Sequence, residues 1–152
     1  MGLLGDDGRR SETALKIARG TLRLLRAMGL SGLSEVSLRN GRRADLMAIS
    51  DSGEILIVEI KSSLNDFRVD QKWPGYREAC DRLFFAVADE GLAALMPDDA
   101  GLILADAYGA YIVREAPEHR LSAATRKAVL LRFARTAAER LHRMDDPEGW
   151  VL

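Results

Sequence analysis

The chain has one cysteine, Cys80, and two histidines, His119 and His142. A single thiol cannot close an internal disulfide, and these three residues cannot supply the Cys/His set of a structural zinc site. No apolar run approaches the roughly 18 residues of a membrane-spanning helix. Asp6 and Asp7 also lie where a secretion signal would need an apolar core. The expected location is the cytoplasm, with no membrane partner, and a reducing compartment is compatible with the lone thiol. Walker-type phosphate loops and the G-x-S-x-G elbow of serine hydrolases are both missing, so ATP use and acyl transfer have no support. There is no internal repeat, low-complexity stretch or dividing linker. What is present is a 152-residue chain that is 47% hydrophobic and only 6% aromatic. That length and composition build a sizeable core without staples. One domain is expected over residues 1–152, with 1–10 flexible.

Charge of one sign is also missing overall, with 22 Lys+Arg against 23 Asp+Glu. The balance arises by cancellation between regions. Arg9 to Arg43 carries nine basic residues against Glu12 and Glu35, and Arg120 to Arg143 carries seven against Glu139. Between them, Asp45 to Glu118 holds fifteen acidic and six basic residues. Eighteen of the basic residues are arginine, which suits bidentate phosphate or carboxylate contacts. Basic flanks of this kind serve either as solvated helix faces or as guides for a phosphate backbone.

Apolar spacing predicts a helix over 11–28, capped by Ser11 and stopped at Gly29. Its core side would carry Ala14, Leu15, Ile17, Ala18, Leu22, Leu24, Leu25 and Met28, opposite a stripe of Glu12, Lys16, Arg19, Arg23 and Arg26. Strands are predicted at 33–39, 43–50 and 54–62, then at 83–88, 102–105 and 110–114. Residues 66–80 read as a helix interrupted at Pro74-Gly75, and 91–96 as a short helical stretch. A helix over 121–143 closes the chain, with Val129, Leu130, Phe133, Ala134, Ala137 and Leu141 on its apolar side.

The segment GRRADLMAISDSGEILIVEIKSS, from Gly41 to Ser63, places Asp45, Glu59 and Lys61 inside otherwise apolar strands. Ionised groups avoid such positions unless they are partnered. Asp51-Ser52-Gly53 has the form of a three-residue hairpin loop with a left-handed glycine at its last position. In that register Ser50 pairs with Glu54, Ile49 with Ile55, and so on down to Asp45 with Glu59. Directly paired residues have Cβ atoms about 4.5–5.5 Å apart, and Lys61 emerges on the same face two positions on. Two carboxylates this close repel unless a cation lies between them. Mg²⁺ favours one or two carboxylates, phosphate oxygens and retained waters. Lys61 would then orient or deprotonate a water, or stabilise developing negative charge. The alternative is a Lys61-bridged charge cluster at a solvated sheet end.

This spacing resembles the core motif of the PD-(D/E)XK nuclease superfamily, with Asp45 as the first acidic residue and Glu59-Ile60-Lys61 as the triplet. Ala44 replaces the proline of the motif. The resemblance covers about residues 11–88 and implies a restriction-endonuclease-like α/β core, a mixed central sheet flanked by helices, with a C-terminal helix. Across nearly the whole chain, the runs GRRAD, VEIKSS, DFRVDQKW, CDRLFFAV, GLILADAYGA and RKAVLLRFARTAAERL resemble the bacterial MmcB-type DNA-repair proteins, a family connected with tolerance of crosslinking damage. Residues 89–152 would be a family-specific extension. By analogy with the superfamily, the Ile60 carbonyl would join Asp45 and Glu59 on Mg²⁺ or Mn²⁺.

Nuclease relatives often add an upstream glutamate to the metal site, which makes Glu12 and Glu35 candidates; Glu12 alternatively pairs with Lys16. Arg42 and Arg43 either hold phosphates at the mouth of the site or are ordinary turn charges. One of Gln71 and Lys72 is expected to face the site. Trp73 and Tyr76 either stack on unpaired bases, pack in the core or contact a partner. Asp66 and Asp70, one turn apart, either bind a second ion or, more simply, serve as surface or capping residues, and Asp106 reads as a turn residue. The implied function is metal-dependent hydrolysis of DNA phosphodiesters in repair, with DNA as the partner, single-stranded or branched forms among the candidates. The rival is a non-catalytic protein of the same fold that binds DNA or recruits a repair partner.

Overall fold

The computed structural model describes residues 11–64 and 73–150. Helix α1 (Glu12–Ala27) is followed by an antiparallel meander of β1 (Ser31–Ser37), β2 (Arg43–Ile49) and β3 (Ile55–Ile60). A 3-10 helix over Trp73–Ala79 leads into β4 (Arg82–Val87). Helix α2 (Glu90–Ala93), β5 (Gly101–Ala105), β6 (Ala110–Arg114), helix α3 (Ala123–Asp145) and a 3-10 turn over Pro147–Trp150 complete the order. All six strands form one sheet in sequence order; β4 runs parallel to β3 and β5, and β6 returns antiparallel. This is the mixed, helix-flanked sheet that the sequence implied.

Local chemistry accounts for the boundaries. Ser11 Oγ accepts from Ala14 N–H at 3.1 Å and caps α1, and Ser122 Oγ accepts from Thr125 N–H at 3.2 Å and caps α3. Gly53, at φ +87°, closes the β2–β3 loop, where Ser50 N–H donates to Glu54 O at 3.0 Å. In the predicted 66–80 helix, Trp73–Ala79 is a 3-10 helix that begins at Trp73-Pro74, and residues 65–72 lie outside the described residues. The flexible lead expected over 1–10 also lies outside them.

Two apolar layers sandwich the sheet. Ile17, Ala18 and Leu25 of α1 pack on Leu46, Ala48, Leu56, Val58, Ile60, Phe84 and Ile103. On the other face, Phe133 of α3 and Tyr76, Ala79 and Cys80 pack on Val36, Met47, Ile55, Ile57 and Leu83. Phe85, Val87 and Leu102 extend that face beneath Met96 and Trp73.

Both long helices bury less than their periodicity suggests. Leu15 and Met28, expected in the core, are 56% and 46% exposed. Helix α1 instead turns Gly20 and Thr21 inward, because it crosses the β5–β6 turn at close range. A Cβ at Gly20 would sit 1.9 Å from Asp106 O and 2.5 Å from Gly109 O. Neither backbone carbonyl can yield cheaply, so Gly20→Ala should cost about 1–3 kcal/mol of stability by overpacking, checked by urea unfolding. On α3 only Phe133 is buried; Ala134 is exposed and Leu141 is 60% exposed. Arg140, which donates to Ser34 O and Glu35 O, ties the second half of α3 to the sheet in place of apolar packing.

Cys80 is 1% exposed, and its Sγ donates to Tyr76 O at 3.3 Å. Burial pushes the thiol pKa up to about 12, so the reactive thiolate is scarce at neutral pH. Labelling of the native protein by a disulfide reagent at pH 8 should run at least about 100-fold slower than labelling in urea, and equal rates would contradict this burial.

Candidate functional site

The register of the β2–β3 hairpin runs Ile49–Ile55, Ala48–Leu56, Met47–Ile57 and Leu46–Val58. It is the register that the Asp51-Ser52-Gly53 loop imposes. One position further on, the strands exchange side chains. Asp45 N–H donates to Glu59 Oε1 at 3.0 Å, and Ile60 N–H donates to Asp45 Oδ2 at 2.8 Å. The two carboxyl groups lie close enough to interact directly. Glu59 is 2% exposed and Lys61 5% exposed. Lys61 N–H donates to Ala86 O at 3.0 Å, which continues the β3–β4 pairing past the end of β3. The hairpin thus brings Asp45, Glu59 and Lys61 together.

Burial drives the Glu59 carboxyl well above the usual carboxylate range. The Asp45 charge and the direct interaction between the carboxyls add to the rise, while the Asp45 N–H bond and the Lys61 charge oppose it. A proton or a cation is therefore favoured between the two oxygen groups.

A backbone irregularity frames the pair. Glu35 lies between the β1–β2 pairs Ser34–Leu46 and Val36–Ala44, opposite Asp45, and has φ +53°. Leu33 and Val36 on β1, and Ala44 and Met47 on β2, reach the same apolar layer although each pair is three residues apart. Strict alternation would put them on opposite faces, so both strands slip phase at Glu35 and Asp45. The two hydrogen bonds from Arg140 fall on Ser34 O and Glu35 O at this point. Sequence reading gave no sign of this role: Arg140 lies 105 residues from Glu35, and helical spacing does not reveal which carbonyl its fork will reach.

The other candidates have partners of their own. Glu35 pairs with Arg43 at 3.8 Å. Glu12 pairs with Lys16 at 3.4 Å, although Ser11 Oγ approaches Ser62 Oγ at 3.5 Å and brings the start of α1 to the residue after Lys61. Arg42 lies 6.0 Å from the Tyr76 ring centroid. Tyr76 is buried, and Trp73 meets Phe85 edge-on at 5.6 Å, so both aromatics pack in the core. Asp106 Oδ1 accepts from Tyr108 N–H at 2.8 Å and Gly109 N–H at 3.0 Å, as a turn residue does. Gln71, Lys72, Asp66 and Asp70 lie outside the described residues. Among the described residues no three His, Cys, Asp or Glu side chains gather as a metal-binding group.

A mixed six-stranded sheet between α1 and α3, with an acidic pair and a buried lysine at the end of its central hairpin, has the architecture of a restriction-endonuclease-like fold. The model of the MmcB-like DNA-repair protein family matches residues 4–148, and the chain belongs to that family. It is also similar to a solved structure, the SPO1766 protein of unknown function from Silicibacter pomeroyi. The two share 45% identity over 95% of this chain and 99% of that one, with a TM-score of 0.88. No curated protein matches the chain. Among the described residues no helix is long and apolar enough to cross a membrane.

Proposed function

We propose that this protein is a metal-dependent nuclease of the PD-(D/E)XK type that hydrolyses DNA phosphodiesters in repair. The carrying observation is the contact between Asp45 and Glu59 across the strand end, with Lys61 buried beside them. The donor set fits a hard divalent ion. It offers only oxygen, and its two carboxyls favour a positive charge between them, the pattern that suits Mg²⁺ or Mn²⁺ over thiolate- or imidazole-bound metals. Asp45, Glu59 and the Ile60 carbonyl would hold the ion. When bound, it polarises the phosphodiester and acidifies a water.

The protein's own groups do the remaining work. The bonds between each carboxylate and the opposite strand's N–H fix both carboxylates before substrate arrives, so little reorganisation is left for the reaction. Lys61 orients or deprotonates the attacking water, or offsets charge developing on the phosphoryl oxygens. Arg43, 58% exposed and two residues before Asp45, is the phosphate contact at the mouth. Arg42 packs against Tyr76, and Glu12 and Glu35 stay with Lys16 and Arg43.

A second reading, a DNA-binding or recruitment protein without catalysis, draws on one specific observation: the bonds from Asp45 N–H and Ile60 N–H give both carboxylates a structural use that needs no metal. Incubating the full chain with single-stranded, duplex and branched DNA in Mg²⁺ or Mn²⁺, with and without EDTA, separates the two readings. Cleavage that EDTA abolishes supports the nuclease. Ion binding without cleavage of any substrate supports the second reading, and cleavage that persists in EDTA contradicts the site.

A further inference from the structure

The aromatic side chains open to solvent lie away from those the motif suggested. Tyr108 is 79% exposed and Tyr111 56% exposed. Tyr111 sits on β6, the outer strand of the sheet. Its neighbours Ala110 and Ile112 pack toward α1, so Tyr111 points to the opposite face. The register identifies that face. Tyr111 pairs with Leu104, and Leu104 pairs with Val87. Val87 follows the Ile60–Ala86 pair and so lies beside Lys61. Directly paired residues share a face, so Lys61, Val87, Leu104 and Tyr111 form one row across four strands. Three strand spacings separate its ends, roughly 14 Å.

Tyr108 stands in the adjoining β5–β6 turn. With Tyr111, Leu104 and Ala88 it borders a groove of about 430 Å³, within the range of about 300–1,000 Å³ typical of ligand clefts. Asp106 also lines it, with its carboxylate turned to the Tyr108 and Gly109 amides, and two arginines stand alongside: Arg23 donates through Nη1 to Tyr108 O at 3.1 Å, and the exposed Arg19 is next to Gly20, which packs on the same turn.

We propose that Tyr108 and Tyr111 form a base-stacking platform for an unpaired stretch of the DNA, a few nucleotides from the phosphate held at Asp45, Glu59 and Lys61. The substrate class is thereby single-stranded or branched DNA. The inference rests on the nuclease reading for the position of that phosphate. A duplex keeps its base faces stacked inside, whereas an unpaired strand presents them to aromatic side chains, with nearby arginines serving its backbone. Val87 in the middle of the row is buried, so the row fixes the direction and distance of the acidic pair from the tyrosines, and it is the arginines beside the turn that favour nucleic acid over an apolar protein partner for this edge.

The test is fluorescence anisotropy of the full chain with a labelled 20-mer as a single strand and as a duplex, in EDTA so that no metal-dependent cutting intervenes. Tyr108→Ala and Tyr111→Ala should each weaken single-strand binding about tenfold, the size of one lost base stack. Tyr111→Phe should stay within about twofold of the parent, and so should the duplex affinity of every variant, with each melting temperature within a few degrees of the parent's. Equal losses on both DNAs, or no loss on the single strand, would overturn the proposal. Unchanged single-strand binding with loss of a co-purifying protein would assign the patch to protein docking and overturn it as well. Because binding is read without cleavage, an inactive nuclease site leaves this result standing, and a failed platform leaves the acidic pair untouched.

Discussion

Replacing Asp81 with alanine is expected to lower stability by about 3–5 kcal/mol, the cost of breaking a buried ion pair from one side. Asp81 is 3% exposed. Arg126 of α3 donates to it through both terminal nitrogens, at 2.6 and 2.7 Å. Ile55 N–H and Leu121 N–H also donate to it, at 2.8 and 2.9 Å. Arg126 further donates to Gly53 O at 2.8 Å, so one carboxylate ties the β2–β3 loop, the start of β4 and the first turns of α3 together. Removing it strands a guanidinium and two amides. In a domain of this size the loss corresponds to a melting temperature lower by roughly 10 °C.

The same node sets an acid limit. Burial pushes the Asp81 carboxyl up, but hydrogen bonds from Arg126, Leu121 and Ile55, together with the guanidinium charge, outweigh it and hold the pKa down at about 2, below the ordinary 3.8. A carboxyl depressed on folding contributes stability above its unfolded pKa and loses it as pH falls through the folded one. About 2 kcal/mol should therefore be present above about pH 4 and be lost progressively as pH falls through about 2. Urea unfolding of the parent and Asp81→Ala between pH 6 and 2.5 checks this: the gap between them should narrow toward acid, and a constant gap would contradict the assignment.

Asp45→Asn is expected to reduce DNA cleavage by at least about 100-fold while DNA affinity in EDTA changes by less than about threefold. Asparagine keeps an oxygen to accept from Ile60 N–H, so the hairpin holds, but it removes the charge that an ion requires. Even groups that only orient metal ligands are worth 10–100-fold, and a direct ligand should exceed that range. Lys61→Met should lose about 10²–10³ in rate, the scale of a removed transition-state charge partner, again with DNA affinity retained. Cleavage that survives Asp45→Asn would remove the pair from the chemistry.

The acidic pair was legible from the chain because its geometry is set locally. Asp51-Ser52-Gly53 selects one loop conformation, Gly53 at φ +87° completes it, and the antiparallel register that follows carries Asp45 to Glu59. The capping serines of α1 and α3 are readable for the same reason, since each satisfies amides within three residues. Features that depend on distant segments were not legible. Glu35 at φ +53° is held by Arg140, and Asp81 by Arg126 across 45 residues. Helical periodicity placed both arginines on a basic helix without showing that they point into the fold. It also put Leu15 and Met28 in the core of α1, since an amphipathic wheel does not know that the β5–β6 turn approaches Gly20. The two aromatics near the motif left a choice that packing decides: Trp73 and Tyr76 pack inward, while Tyr111 reaches its row only through the parallel order of β3, β4 and β5.

The central claim is that Asp45 and Glu59 act as one divalent-ion site, and titrating the protein with Mn²⁺ while following the free-ion paramagnetic resonance signal tests it most directly. The account predicts that an ion bound by the parent is lost in both Asp45→Asn and Glu59→Gln, at unchanged melting temperature within a few degrees. Mn²⁺ binding of equal strength in the parent and both variants would contradict it.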